Sequence, residues 1–314
     1  MLLGDVFNSH RSQIIALLLV IAACYTASCV RPSPEPQSTS PQQVREFIDE
    51  TGRVVRVPAN VARVVSLAPN LTEVVFAIGA GGRLVGNTTY CDYPPEAKAI
   101  AKVGDTLQPS IERIVALKPQ LVLVSTASQL EAFTKQLNDY QISVYVTDPG
   151  DLEGVFTSIQ NVGLLLGQEN QALALVNQLR ARALAVEEAV KSRQAPSVFY
   201  QLSAEPLYTA GREAFVTDLI RRAGGYSVTA EVPGAWPRYS GESALAARPE
   251  AIILPAGDSM GADADIASAL RRSPAVVNGR VYRINGDLLV RPGPRSIDGL
   301  EEMAKALHPE AFAK

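Results

Sequence analysis

Past its N-terminal segment the chain alternates between two patterns. Short unbroken apolar runs at Val64–Leu67, Leu121–Val124, Ser143–Val146, Ser197–Leu202 and Val281–Ile284 read as buried strands, with a shorter one at Arg83–Val85. Between them, apolar residues recurring every three or four positions predict helices over Leu71–Ile78, Pro109–Leu117, Leu130–Asp139, Asp151–Leu166, Phe215–Ala223 and Ser296–Leu307. Strand then helix, repeated, implies parallel βαβ units and an α/β fold. Ahead of them, Phe47–Pro58 alternates apolar and polar residues about a Thr51-Gly52 turn and predicts a hairpin.

One stretch stands apart. Gln168–Gln194 contains neither Gly nor Pro and is rich in Ala, Leu, Val, Glu, Gln and Arg, residues that lose little side-chain freedom in a helix. Val176, Leu179, Ala183, Val186 and Val190 make a single apolar stripe, so the spacing predicts one long helix of roughly 35–40 Å that packs along something.

The pattern restarts beyond this helix. Thr72-Glu73 precedes Gly79 by the same interval as Thr217-Asp218 precedes Gly224, and SIERIVALKPQLVLV aligns with SGESALAARPEAIIL, which places Glu112 and Glu242 at matching distances before Pro119 and Pro249. The expected architecture is two Rossmann-like α/β lobes, 47–150 and 196–314, joined by a helical segment, 151–195, with the working cleft between them. Gly79, Gly81 and Gly82 follow a helix instead of opening one, so they read as helix ends and not as a dinucleotide-binding fingerprint. Glu112 and Glu242 each fall near a helix N-terminus, where a carboxylate gains about 0.3–1 kcal/mol from the helix dipole. Ser240 is placed to cap its helix. In lobes related by a pseudo-twofold axis, the two carboxylates would also lie on one side of the molecule, one at each end.

Composition narrows the class. The 314 residues are 47% hydrophobic and 19% charged with a net charge of −3, so a globular chain with no electrostatic footprint for nucleic acid is expected. The N-terminus reads as a processing segment: His10-Arg11, the apolar run Ile14–Ala23, then Cys24 behind Ile21-Ala22-Ala23, similar to a bacterial lipobox. Residues 1–23 are thus expected to be a lipoprotein signal, and Cys24, in preference to Cys29, the lipidated residue. Residues 24–46, Pro-, Ser- and Gln-rich, are expected to be a disordered tether. The reading is an exported protein held at the membrane by lipid alone. Cys91, far from the other cysteines, reads as a free or buried thiol.

Catalytic chemistry is sparse. Of the two histidines, His10 lies in the signal and His308 near the C-terminus, so no histidine triad or histidine metal cluster can be assembled. No P-loop, nucleophile elbow or paired metal-spaced cysteines occur, and no catalytic residue, metal or cofactor is assigned. An exported enzyme working with carboxylates across the cleft is the alternative from another class.

RVVSLAPNLTEVVFAIGAGGRLVGNTTYCDYPPEA, SIERIVALKPQLVLVS and AWPRYSGESALAARPEAIIL resemble the helix-linked (class III) substrate-binding proteins of ABC importers, in particular their cobalamin-binding members. The likeness runs from about Arg53 to the C-terminus. It implies two lobes held by a rigid helix, a ligand between them, and delivery by a monomer to a permease dimer. It places Tyr90 and Trp236 as faces for a flat macrocycle, Asp287 and Arg291 as polar contacts at the cleft mouth, and Glu112 and Glu242 as permease-docking carboxylates. Thr106, Ser125-Thr126 and Leu288 stand where the cobalamin binders carry further aromatics, so the implied ligands are cobalamin or another corrinoid, with a ferric siderophore or heme as the alternative. A receptor that senses such a ligand without transporting it is a further reading.

Overall fold

The computed structural model describes residues 43–125, 130–257 and 265–313. The signal, Cys24, Cys29, the tether up to residue 42 and Thr126 lie outside the described residues. The chain enters through an antiparallel hairpin, β1 (Val44–Ile48) and β2 (Val54–Pro58), turned at Gly52 with φ 85°. The hairpin starts before Phe47, inside the span expected to be tether, because Val44 pairs with Pro58 and the Arg45 guanidinium donates to the carbonyls of Leu164 and Leu165. Polar neighbours hid this strand from an apolar count.

The first lobe runs β3 (Val64–Ser66), α1 (Pro69–Ala77), β4 (Leu84–Asn87), α2 (Ile111–Ala116), β5 (Leu121–Ser125), α3 (Leu130–Asp139) and β6 (Ser143–Thr147). Its sheet is parallel throughout, in the order β4-β3-β5-β6. Beyond β4, Pro95–Ala99 forms a 3₁₀ turn, since a proline at the start of a turn costs no hydrogen bond. Two helices follow, α4 (Leu152–Leu165) and α5 (Glu169–Val190).

The second lobe runs β7 (Ser197–Ala204), β8 (Leu207–Thr209), α6 (Phe215–Arg222), β9 (Tyr226–Ser227), α7 (Gly241–Ala246), β10 (Ala251–Ala256), α8 (Pro274–Val277), β11 (Val281–Asn285), α9 (Gly286–Val290), α10 (Ser296–Leu307) and α11 (Pro309–Phe312). Strands β9, β7, β10 and β11 pair in that order, all parallel, which repeats the order of the first sheet; β8 is an antiparallel addition on β7. The repeat extends to backbone detail. Gly79 and Gly224 both sit at φ 78° at the ends of α1 and α6, and Lys118 and Arg248 sit at φ 48° and 49° just before the prolines that lead into β5 and β10.

Helix α5 is the expected strut, with 22 residues and a length of about 33 Å at 1.5 Å per residue. It stops short of Gln194 because Lys191–Gln194 are all exposed and have no core to face. Its stripe is buried as the spacing predicts, Val176, Leu179, Ala183, Val186 and Val190 each being 5% exposed or less. Burial also explains why the lobes form one body. In β5, Leu121 and Leu123 join a core that continues under α5 into the second lobe, while Val122 and Val124 join a private core on the other face. Strand β10 divides the same way, Ala251 and Ile253 to the shared core and Ile252 and Leu254 to a private one. Swinging one lobe far from the other would expose the shared core, at about 25 cal/mol per Å² of apolar surface.

Candidate functional site

In open parallel sheets the ligand side is the one at the C-terminal strand ends. Here the C-terminal ends of the two sheets meet. Asn70, just after β3, donates to the Pro292 carbonyl after β11 at 3.0 Å. Gly293 passes so close to Asn70 that an added Cβ would lie 3.3 Å from the Asn70 Cβ, which holds the two backbones together at this crossing.

Beside this crossing lies an ion-pair network that spans the lobes. Glu73 of α1, 4% exposed, accepts from the Arg295 guanidinium at 2.6 and 2.9 Å, and Arg295 also stacks 4.0 Å from the Tyr93 ring centroid. Arg291, 9% exposed, donates to Asp92 of the first lobe at 2.8 Å and pairs with Asp287 of its own lobe at 3.0 Å. Burial pushes the Glu73 carboxyl up, further than Arg295 and Arg291 pull it down. For Asp92 burial also acts upward, but the hydrogen bond and charge of Arg291 outweigh it and hold the carboxyl below its usual range. Asp287 and Arg291, expected as polar contacts at the cleft mouth, belong to this network, in which Arg291 links Asp287 of its own lobe to Asp92 of the other.

The pseudo-symmetric junction is built differently. Asp218 of α6, the counterpart of Glu73, accepts from the Leu152 amide at the first turn of α4 at 3.1 Å and from Arg222 at 2.8 Å, and it also pairs with Arg221. Arg222 reaches on to Glu187 of the strut at 2.5 Å. Burial would raise the Asp218 carboxyl; the Leu152 amide and the two arginines outweigh it and lower it. These junction residues were missed as functional elements, although the acidic residue after each repeated threonine was the signal for them.

Tyr90 and Trp236 occupy equivalent places, on the segments leaving β4 and β9 at the C-terminal ends of the two sheets. Both are exposed, Tyr90 at 54% and Trp236 at 37%, and the Trp236 ring lies 6.0 Å from that of buried Tyr200. Exposed large aromatics at matching sites offer flat apolar faces to a ligand. Glu112 and Glu242 lie exposed in the first turns of α2 and α7, and each helix is capped alike, Ser110 accepting from the Arg113 amide and Ser240 from the Ser243 amide, both at 3.3 Å. Cys91 is a free, buried thiol beside the Thr88 hydroxyl. No helix among the described residues is long and apolar enough to cross a membrane.

Residues 64–288 match the family described as periplasmic binding protein. An uncharacterised ABC transporter substrate-binding lipoprotein of Bacillus subtilis (strain 168), YvrC, is 32% identical over 305 residues, which cover 94% of this chain and 96% of the relative. Among solved structures, the periplasmic vitamin B12 binding protein BtuF of Vibrio cholerae superposes with a TM-score of 0.70 at 26% identity, over 81% of this chain and 99% of that one. The apo periplasmic heme-binding protein RhuT of Roseiflexus sp. RS-1 also gives 0.70, at 25% identity over 80% of this chain and 100% of its own.

Proposed function

The chain belongs to the periplasmic binding protein family and is a substrate-binding protein of ABC transport, not an enzyme; from that premise we propose that it binds cobalamin or a related corrinoid and delivers it to an importer. The observation that carries the ligand class is the pair of exposed aromatics, Tyr90 and Trp236, at equivalent strand ends of the two lobes. A corrin is broad and flat, and stacking on such faces needs few directional bonds. The similarity to a vitamin B12 binding protein supports the same class. Titrating the purified soluble form with cobalamin, cobinamide, heme and ferric siderophores tests it, because Trp236 is the single tryptophan and its emission reports binding. Quenching by a corrinoid supports the reading; four silent titrations, matched by calorimetry, sink it.

A second reading, heme, is favoured by the exposed Tyr90 phenol, an oxygen suited to ferric iron, and by the similarity to a heme-binding protein. Heme added to wild type and to Tyr90→Phe separates the two: a Soret shift present only in wild type favours iron coordination.

Delivery rests on Glu112 and Glu242 as contacts for arginines of a permease dimer. Glu112→Ala with Glu242→Ala should abolish uptake and leave ligand binding intact; unchanged uptake would favour a sensing receptor instead. Lipid anchoring through Cys24 is tested by Cys24→Ser, which should release the protein from membranes and end incorporation of labelled fatty acid.

A further inference from the structure

The arginines at the junction of the lobes are already neutralised: Arg291 faces Asp92 and Asp287, and Arg295 faces Glu73. Arg238 is different. It is exposed and makes no salt bridge or side-chain hydrogen bond within the described chain. Its backbone is nevertheless fixed. The segment around it pairs antiparallel with β8 and the residues after it: the Tyr239 amide donates to Leu207 at 2.9 Å, the Thr209 amide to Pro237 at 3.2 Å and the Gly211 amide to Ala235 at 2.9 Å, with Tyr208 directly opposite Arg238. Pro237, lacking an N–H, cannot return a bond to Thr209.

This pairing decides which side chains share a face. The carbonyls of Ala235 and Pro237 both face β8 and the residues after it, so Trp236 and Arg238, which alternate with them, project to the same side, and Tyr208 stands opposite Arg238 in a pair that exchanges no hydrogen bonds. One surface of the second lobe therefore carries an exposed indole, a half-buried phenol and, next to them, an unpaired guanidinium.

We propose that Arg238 determines specificity by reading an anionic oxygen group at the rim of the flat ligand that Trp236 stacks on. This inference rests on the macrocycle reading of the site and narrows it. A guanidinium offers a planar fork of donors matched to a carboxylate or phosphodiester, and held beside aromatic faces it contacts the edge of a stacked ring system while the ring itself stays on the indole. A phosphodiester, as in the nucleotide loop of cobalamin, and the propionates of heme share this chemistry; cobinamide lacks it.

The test is calorimetric titration of wild type, Arg238→Gln and Arg238→Lys with cyanocobalamin, dicyanocobinamide and hemin, at low and at high salt. For whichever anion-bearing ligand wild type binds, Arg238→Gln is expected to weaken affinity about ten-fold at low salt, the size of a lost charge-assisted hydrogen bond, with a smaller loss at high salt. Arg238→Lys should recover part of the loss, and cobinamide affinity should not change. Equal affinities of wild type and Arg238→Gln for the anion-bearing ligand would reduce Arg238 to a charge guarding an exposed strand edge and overturn the proposal. So would an equal loss for cobinamide, or wild type binding cobinamide alone. Wild type binding none of the three removes the macrocycle reading itself, a result distinct from the others.

Discussion

The two junctions between the lobes occupy equivalent positions and use opposite electrostatics. Glu73 meets a guanidinium from the other lobe, while Asp218 meets a helix amide and two arginines of its own helix, so among the described residues the carboxylate of the first junction, and not that of the second, is held by a charge pair that crosses from lobe to lobe. One buried carboxyl is pushed up and the other held down. Symmetric folding thus leaves room for asymmetric duty: the Glu73 side, near Asp92 and Arg291, lies where the C-terminal strand ends converge, and the Asp218 side ties α6 to α4 and the strut.

The largest expected effect comes from breaking the crossing pair. Arg295→Ala leaves Glu73, whose side chain is 3% exposed, with only the more distant Arg291 at 3.8 Å, and should cost about 3 kcal/mol in urea unfolding near pH 8. Adding Glu73→Gln should restore much of that; a double variant as unstable as the single one would mean that the Tyr93 stacking contact, not charge, was lost. Next is the strut, which is held by close packing on one side and by ion pairs on the other. An alanine Cβ at Gly163 would lie 2.4 Å from the Ala172 Cβ, so Gly163→Ala should cost about 1–3 kcal/mol by overpacking, whereas Arg182, paired at 2.7 and 2.8 Å with Asp298 and Glu301, serves the second lobe. Smaller still, Ser110→Ala and Ser240→Ala should each cost about 1 kcal/mol, and unequal losses would break the equivalence of the two capped helices.

The subtlest contrast is in pH dependence. Asp218 has a lowered folded value, so its contribution is fully present above the usual 3.8 and is lost as pH falls through the folded value; the stability gap between wild type and Asp218→Asn should shrink with acid. Glu73 has a raised value, so the ionised form burdens the folded state above that value and the burden is relieved as pH falls toward 4.5; wild type should gain on Glu73→Gln with acid. Denaturant midpoints of the three proteins between pH 3 and pH 7 check the opposite slopes, and parallel slopes would erase the difference between the junctions.

Apolar periodicity, repeat spacing and helix-forming composition were enough to read two α/β lobes and a strut, because burial on both faces of a parallel sheet and on one face of a helix writes itself into neighbouring residues. The stripe from Val176 to Val190 and the paired helices carrying Glu112 and Glu242 were legible for this reason. Tyr90 and Trp236 were singled out through family likeness, and the equivalence of their positions emerged only from the strand order.

What the local sequence could not decide is partnership across the chain. Glu73 finds Arg295 and Asp92 finds Arg291 over separations of about two hundred residues, and nothing near any of the four marks it as paired or free. Family likeness singled out Arg291 as a polar contact and left Arg238 unremarked. Tertiary structure neutralises the first and leaves the second open, because a guanidinium's role depends on which carboxylates the fold brings within hydrogen-bond reach.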